Sequence, residues 1–142
     1  MFQNVLVPVD LSDEHSWRKA LPTAVALCET FQARLHLITV VPEFGLPIVG
    51  QYFPDGYEAK LRQQAAKRLK TLAAEQVPDT VPTQRIVAEG RIYQEILNAA
   101  KTIRADLIVM GSHHPELKDY LLGANADKVM RHADCSVMVV RE

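Results

Sequence analysis

The chain has 142 residues, 48% hydrophobic and 23% charged, a length and balance that fit one globular domain, over residues 1–142, with one core. Its net charge of −1 gives no electrostatic footprint for nucleic acid or an anionic membrane. No apolar run approaches the roughly 20 residues of a membrane helix, and MFQNVLVPVD lacks the basic flank and small-residue site of a signal peptide, so a cytoplasmic protein without membrane insertion is expected.

In chain order, Phe2 to Val9 is apolar and β-branched and ends at Pro8-Val9-Asp10, which predicts a central strand buried on both faces. Leu11-Ser12-Asp13-Glu14 supplies an N-cap hydroxyl and acidic first-turn residues for a long helix, with Trp17, Leu21, Val25, Cys28 and Phe31 at helical spacing. Pro22 falls inside that helix and predicts either a kink near Arg18 or a late start. Arg34 to Val41 reads as the second strand, closed by Pro42. The proline-, glycine- and aromatic-rich segment that follows carries Phe44, Leu46, Ile48 and Phe53, and its apolar content predicts packing over a pocket or a partner subunit. From Tyr57 to Gln76, Leu61, Ala65, Leu69, Leu72 and Ala73 share one helical face, leaving Lys60, Arg62, Lys67, Arg68 and Lys70 as a solvated one.

Thr83 to Glu89 predicts a third strand, and Gly90 permits a tight entry to a helix over Ile92 to Ile103. Ala105 to Gly111 is the fourth strand, Asn125 to His132 a helix, and Ser136 to Arg141 the fifth strand. The alternation predicts an α/β fold with a five-stranded parallel sheet, order 3-2-1-4-5, and helices on both faces. Cys28 and Cys135 have neither C-x-x-C spacing nor zinc-type histidine partners, and both read as small buried hydrophobes.

The stretch LIVMGSHHPELKDYLLGAN, Leu107 to Asn125, stands out. An apolar run stops at Gly111, a polar loop follows, and Gly123 opens the next helix. Backbone N–H groups at a strand's carboxyl end and at a helix N-terminus lack partners, and glycine lets phosphate oxygens come close. Beside it, at the switch point between strands one and four, lie Pro8, Val9 and Asp10, with Met110, Gly111, Ser112 and His113 opposite. An aspartate there can accept from ribose hydroxyls or an exocyclic amine, so the reading is a nucleotide cleft. Asp10 also fits a plain loop start, and Gly111 a turn requirement. His113 and His114, adjacent in a loop, make a poor metal site and read as exposed or phosphate-contacting. Lys118 and Arg131 read as surface cations. A nucleophile elbow, a P-loop and paired carboxylates are all lacking, so at most slow hydrolysis of a bound nucleotide is expected.

VLVPVDLSDE, LITVV and GSHHPELKDYLLGANADKVMRHADCSVMVV resemble, in that order and over nearly the full length, the blocks of universal stress proteins. Ser112-His113-His114-Pro115 and Tyr120 to Ala126 resemble the F/G-type subgroup, which is associated with ATP binding. The resemblance implies a Rossmann-like fold of the adenine nucleotide α-hydrolase type and ATP with Mg²⁺ as cofactor. It implies Pro8, Val9, Asp10 and Val40 around adenine and ribose, and Gly111, His113, His114, Gly123, Ala124 and Asn125 around phosphates. It further implies a nucleotide-dependent regulatory role in stress responses and a homodimer through the C-terminal strand, whose apolar edge VMVVR would otherwise stay unpaired. A tetramer is expected if the loop of residues 44–53 adds a second contact. The chain departs from the family pattern where His114 replaces a glycine, where the spacing to Gly123 is one residue short, and where Ala124 replaces serine or threonine. A hydroxyl–phosphate bond lost at Ala124 is worth roughly 1.5–3 kcal/mol. The alternative is a nucleotide-independent protein that regulates a partner such as a transporter.

Overall fold

The computed structural model describes residues 1–41, 56–112 and 123–141. Strands β1 (Asn4–Pro8), β2 (Arg34–Val41), β3 (Thr83–Glu89), β4 (Leu107–Ser112) and β5 (Ser136–Arg141) alternate with helices α1 (Ala20–Phe31), α2 (Tyr57–Gln76), α3 (Ile92–Ile103) and α4 (Ala124–His132). A 3₁₀ turn, Glu14–Ser16, lies between β1 and α1. The strands form one parallel sheet in the order β3-β2-β1-β4-β5, as the alternation predicts. Both faces are covered, which is why β1, β2 and β4 read as continuous apolar runs. Val5, Val7, Leu35, Leu37 and Val109 pack beneath α1 and α2, where Leu21, Cys28, Leu69 and Leu72 meet them. Leu6, Ile38, Ile108 and Met110 pack on the other face against Ile96 and Ala100 of α3 and Ala126 and Val129 of α4. No helix among the described residues is long and apolar enough to cross a membrane.

Several boundaries differ from the sequence expectation, each for a local reason. The strand read from Phe2 starts at Asn4, because the Asp106 carboxylate takes the N–H groups of Gln3 and Asn4 at 2.8 and 3.1 Å before the ladder begins. The long helix read from Ser12 starts only at Ala20. Pro22 is then the third helical residue, where an N–H would have no intrahelical partner and no helical carbonyl stands behind the ring, so the late start removes the kink. Ser12 caps nothing. Its hydroxyl donates to Asp10 Oδ1 at 2.6 Å, while Asp13 is the cap of the 3₁₀ turn, accepting the His15 N–H at 3.0 Å. Strand β4 runs from Leu107 to Ser112 rather than from Ala105 to Gly111, and α4 opens one residue earlier than read, at Ala124. Gly90 holds φ of 140°, as the tight entry to α3 requires. Cys28 is buried, and burial pushes its thiol up to about 11; Cys135 is only half-buried, in contrast to its reading as a core residue. The loop of residues 44–53, with His113, His114 and Lys118, lies outside the described residues.

The sheet opens where order reverses. β1 and β4 pair through Val5 with Leu107 and Leu6 with Ile108, and the Val9 N–H goes to β2, on the Ile38 carbonyl at 2.8 Å. Because N–H groups alternate sides along a strand, residue 8 would be the next to face β4, and Pro8 has none to give. Beyond that point the 3₁₀ turn seats on β4. A Cβ placed on Gly111 would lie 2.5 Å from the Ser16 carbonyl oxygen and 2.9 Å from that of His15. Gly111 pairs in register with Val140 within the strand, so close backbone approach, not a turn, demands glycine here. Gly111→Ala is expected to lower unfolding free energy by about 1–3 kcal/mol through overpacking, read by urea denaturation; an unchanged midpoint would contradict the packing.

At the other end of the strands, His36 is buried on β2 between Gln84 of β3 and Asn4 of β1. Its Nδ1 lies 2.5 Å from Gln84 Oε1 and its Nε2 3.0 Å from Asn4 Oδ1. Burial, reinforced by Arg34, lowers its pKa against the opposing pull of Gln84, so the resident ring is neutral. A neutral ring has one N–H, and its other nitrogen is satisfied when one of the two amides turns its NH₂ inward. With the folded-state pKa below that of the unfolded chain, this contribution to stability is complete above about pH 6.5 and is lost as pH falls through the lowered value. His36→Gln is expected to flatten that part of a stability profile measured between pH 7.5 and pH 5, values chosen around the ordinary histidine pKa of about 6.5; an identical slope in the variant would place the proton uptake elsewhere.

Candidate functional site

The parted strand ends, the β1–α1 connection and the N-termini of α3 and α4 enclose a cavity of about 240 Å³. This is just under the roughly 300–1,000 Å³ of typical small-molecule sites. Every predicted site residue among the described ones lines it: Pro8 at the end of β1 with Val9 and Asp10 just beyond it, Val40 from β2, Met110, Gly111 and Ser112 from β4, and Gly123, Ala124 and Asn125 at the start of α4. The predicted His113 and His114 lie outside the described residues. Asp13, Ser16, Ile38, Ile92, Ile96 and Ala126 also line the cavity and were not read from the sequence. Ile38, Ile92 and Ile96 carried a signal only as core residues, and Asp13 and Ser16 were hidden by the expectation of a continuous helix.

Hydrogen bonds within the connection fix its polar side. The Asp10 N–H donates to Ser16 Oγ at 2.9 Å, and the Ser16 hydroxyl lies 2.8 Å from the Asp13 carbonyl. Asp13 N–H donates to the Asp10 carbonyl at 3.1 Å, and Ser16 N–H to the Asp13 carbonyl at 3.1 Å. Asp10 Oδ1 accepts from the Ser12 N–H at 3.0 Å and from the Ser12 hydroxyl, an Asx turn that orients the carboxylate. Among the described residues no hydrogen bond falls on its second oxygen, Oδ2.

The far side of the cavity is a helix start without a side-chain cap. Gly123 is the N-cap residue of α4, at φ −52° and ψ 151°, and the first intrahelical bond runs from the Asp127 N–H to the Gly123 carbonyl at 3.0 Å. The N–H groups of Ala124, Asn125 and Ala126 therefore have no helical acceptor, and they stand on the cavity wall. Val40, Ile38, Ile92, Ile96 and Met110 supply the apolar part of the lining. The cleft combines apolar side chains with carboxylate acceptors and with backbone donors that have no acceptor among the described residues. The described lining holds two carboxylates, Asp10 and Asp13, and neither lysine nor arginine.

Residues 1–141 match the model of the universal stress protein family. The chain is 33% identical over 150 residues to universal stress protein YxiE of Bacillus subtilis, covering 99% of this chain and all of that protein. It is 30% identical over 143 residues to universal stress protein G of Escherichia coli O157:H7, again across 99% of this chain and all of the relative. Among solved structures, it is similar to universal stress protein UspA from Lactobacillus plantarum, with a TM-score of 0.71 and 25% identity over 98% of this chain and 97% of that one. Two further structures sharing the fold were solved with nucleotides: a universal stress protein with cAMP, at a TM-score of 0.62 and 23% identity, covering 99% of this chain and 97% of that one, and one from Archaeoglobus fulgidus with dAMP, at a TM-score of 0.63 and 15% identity, covering 96% of each. With a family model matched from end to end and relatives aligned over their full length, this chain belongs to the universal stress protein family.

Proposed function

We propose that the cleft binds an adenine nucleotide, ATP with Mg²⁺, and that the protein is a cytoplasmic, nucleotide-dependent regulator of the F/G type. The observation that carries this reading is the polarity of the cleft: apolar side chains line it together with an oriented carboxylate and a helix N-terminus that has no side-chain cap among the described residues. Adenine fits the cleft beside Val40, Ile38 and Met110, ribose hydroxyls donate to Asp10, and phosphate oxygens accept from the backbone at Gly111 and from Gly123 to Ala126. Mg²⁺ belongs in this reading because Asp10 and Asp13 repel a bare triphosphate and no cation stands on the described lining to offset them. Relatives of the same fold bound to cAMP and dAMP support a nucleotide in general. Ala124 offers no hydroxyl, so backbone donors and Asn125 carry the phosphate end. The residues described supply no activated nucleophile, and regulation through the bound state fits them better than turnover.

Assembly follows from the sheet edge. β5 is the outer strand beside β4, and Val137, Met138, Val139 and Val140 are only half-buried there. Pairing with the same strand of a second copy across a two-fold axis satisfies the edge and covers those side chains. Sedimentation velocity at micromolar concentration is expected to give a dimer, and a Val139→Lys variant a monomer. A monomeric wild type would remove this assembly.

For the cleft, calorimetry of nucleotide-stripped protein with ATP and Mg²⁺ is expected to show saturable binding. Asp10→Ala should weaken it by about 10–100-fold, the equivalent of one charge-assisted hydrogen bond. Absence of both heat and thermal stabilisation at millimolar ATP would favour the nucleotide-independent interaction protein instead.

A further inference from the structure

We propose that a groove between the β1–α1 connection and α2 docks an acidic peptide segment of a partner protein, inserting one of its apolar side chains. The groove, about 340 Å³, shares no lining residue with the cleft and does not depend on nucleotide binding. Leu11, Trp17 and Leu72 supply its apolar surface. Leu11 and Trp17 pack on the core beneath α1 and α2 yet stay half-exposed, so the floor is anchored but not closed. Arg68 fixes the groove's shape, because its Nη2 donates to the Leu11 carbonyl at 2.6 Å and ties α2 to the connection.

Charge selects the occupant. α2 carries five cations, Lys60, Arg62, Lys67, Arg68 and Lys70, against two acids, in a chain whose net charge is −1. Arg62 is paired with Glu89 at 2.9 Å, but Lys60, Lys67 and Lys70 are exposed and have no ion-pair partner among the described residues. Lys67 and Lys70 stand one turn apart on the helix, where like charges repel each other and an anion relieves both. Lys67 and Arg68 both edge the groove, so carboxylates flanking an inserted leucine or phenylalanine would meet them. Glu75 also lines it, which disfavours a phosphate chain but can accept a peptide N–H. A membrane is disfavoured because the large exposed hydrophobics among the described residues, Met1, Ile92 and Met130, all lie outside α2 and the groove. Nucleic acid is disfavoured by the chain's negative net charge.

Trp17 is the single tryptophan of the chain, so its fluorescence reports on the groove directly. Titration with a synthetic peptide holding one leucine between glutamate pairs is expected to shift Trp17 emission saturably. Replacing that leucine by alanine, or making the surface substitution Lys67→Glu in the protein, should each weaken binding by about tenfold. Lys67 is exposed and has no ion-pair partner among the described residues, so the variant keeps the fold, which circular dichroism checks. No emission change with the acidic peptide, or equal affinity for its leucine and alanine forms, would overturn the proposal. Tighter binding of a single-stranded oligonucleotide, or of equimolar phosphatidylcholine–phosphatidylserine vesicles, than of the peptide would overturn it as well.

Discussion

The seat of the 3₁₀ turn on the Gly111 backbone is the contact on which the cleft depends. Two carbonyls of the turn occupy the space a side chain would take on β4, and the turn in turn carries Asp13 and Ser16. Ser16 then holds the Asp10 N–H, so the placement of the carboxylate at the strand end is a consequence of a missing methyl group on the neighbouring strand. A clash with rigid backbone has no cheap relief, unlike the flexible Glu95 side chain that lies near Gly90. Pro8 contributes the complementary constraint by withholding a ladder donor where β1 and β4 part. Glycine and proline therefore shape the opening by what they lack, and the polar groups around it are arranged on that frame.

The sheet beneath is a stiff support. Leu6, Leu37, Ile108 and their neighbours are fully buried, each such side chain contributing about 1.5–3 kcal/mol relative to exposure. The polar groups of the site stand on the connections at the carboxyl ends of those strands, where a change of residue does not disturb the core. The connection between β1 and α1 serves two surfaces at once. Asp10, Asp13 and Ser16 line the cleft, whereas Leu11 and Trp17 line the groove beside α2.

How far all this is legible in the sequence depends on the range of the interactions. The strands and their order follow from apolar runs, intervening helical periods and the parallel geometry they impose, and β2, β3 and β5 have the limits the pattern predicts. The cleft residues at strand ends were legible because the switch point of such a sheet is fixed by strand order alone. The start of α1 was not, since Ser12 looks like a cap until Asp10 is seen to claim its hydroxyl. The start of β1 was set by Asp106, a partner far along the chain that no local pattern reveals. Ile92 and Ile96 share the apolar face of a predicted helix, and only the fold shows that Ile96 is core, that Ile92 is exposed, and that both wall the cleft. Gly111 stands out in the sequence as a glycine ending an apolar run, and the structure gives a local reason for it, the neighbouring 3₁₀ turn rather than a turn of its own.

The most direct test of the central claim, that the cleft between β1 and β4 is the nucleotide site, is the amide spectrum of isotopically labelled protein titrated with ATP and Mg²⁺. The account predicts the largest shifts at Asp10, Ser16, Gly111 and Ala124 to Ala126, residues that three separate stretches of the chain bring to the cleft. Shifts that leave these amides unmoved and cluster on α2 or β3 would contradict it.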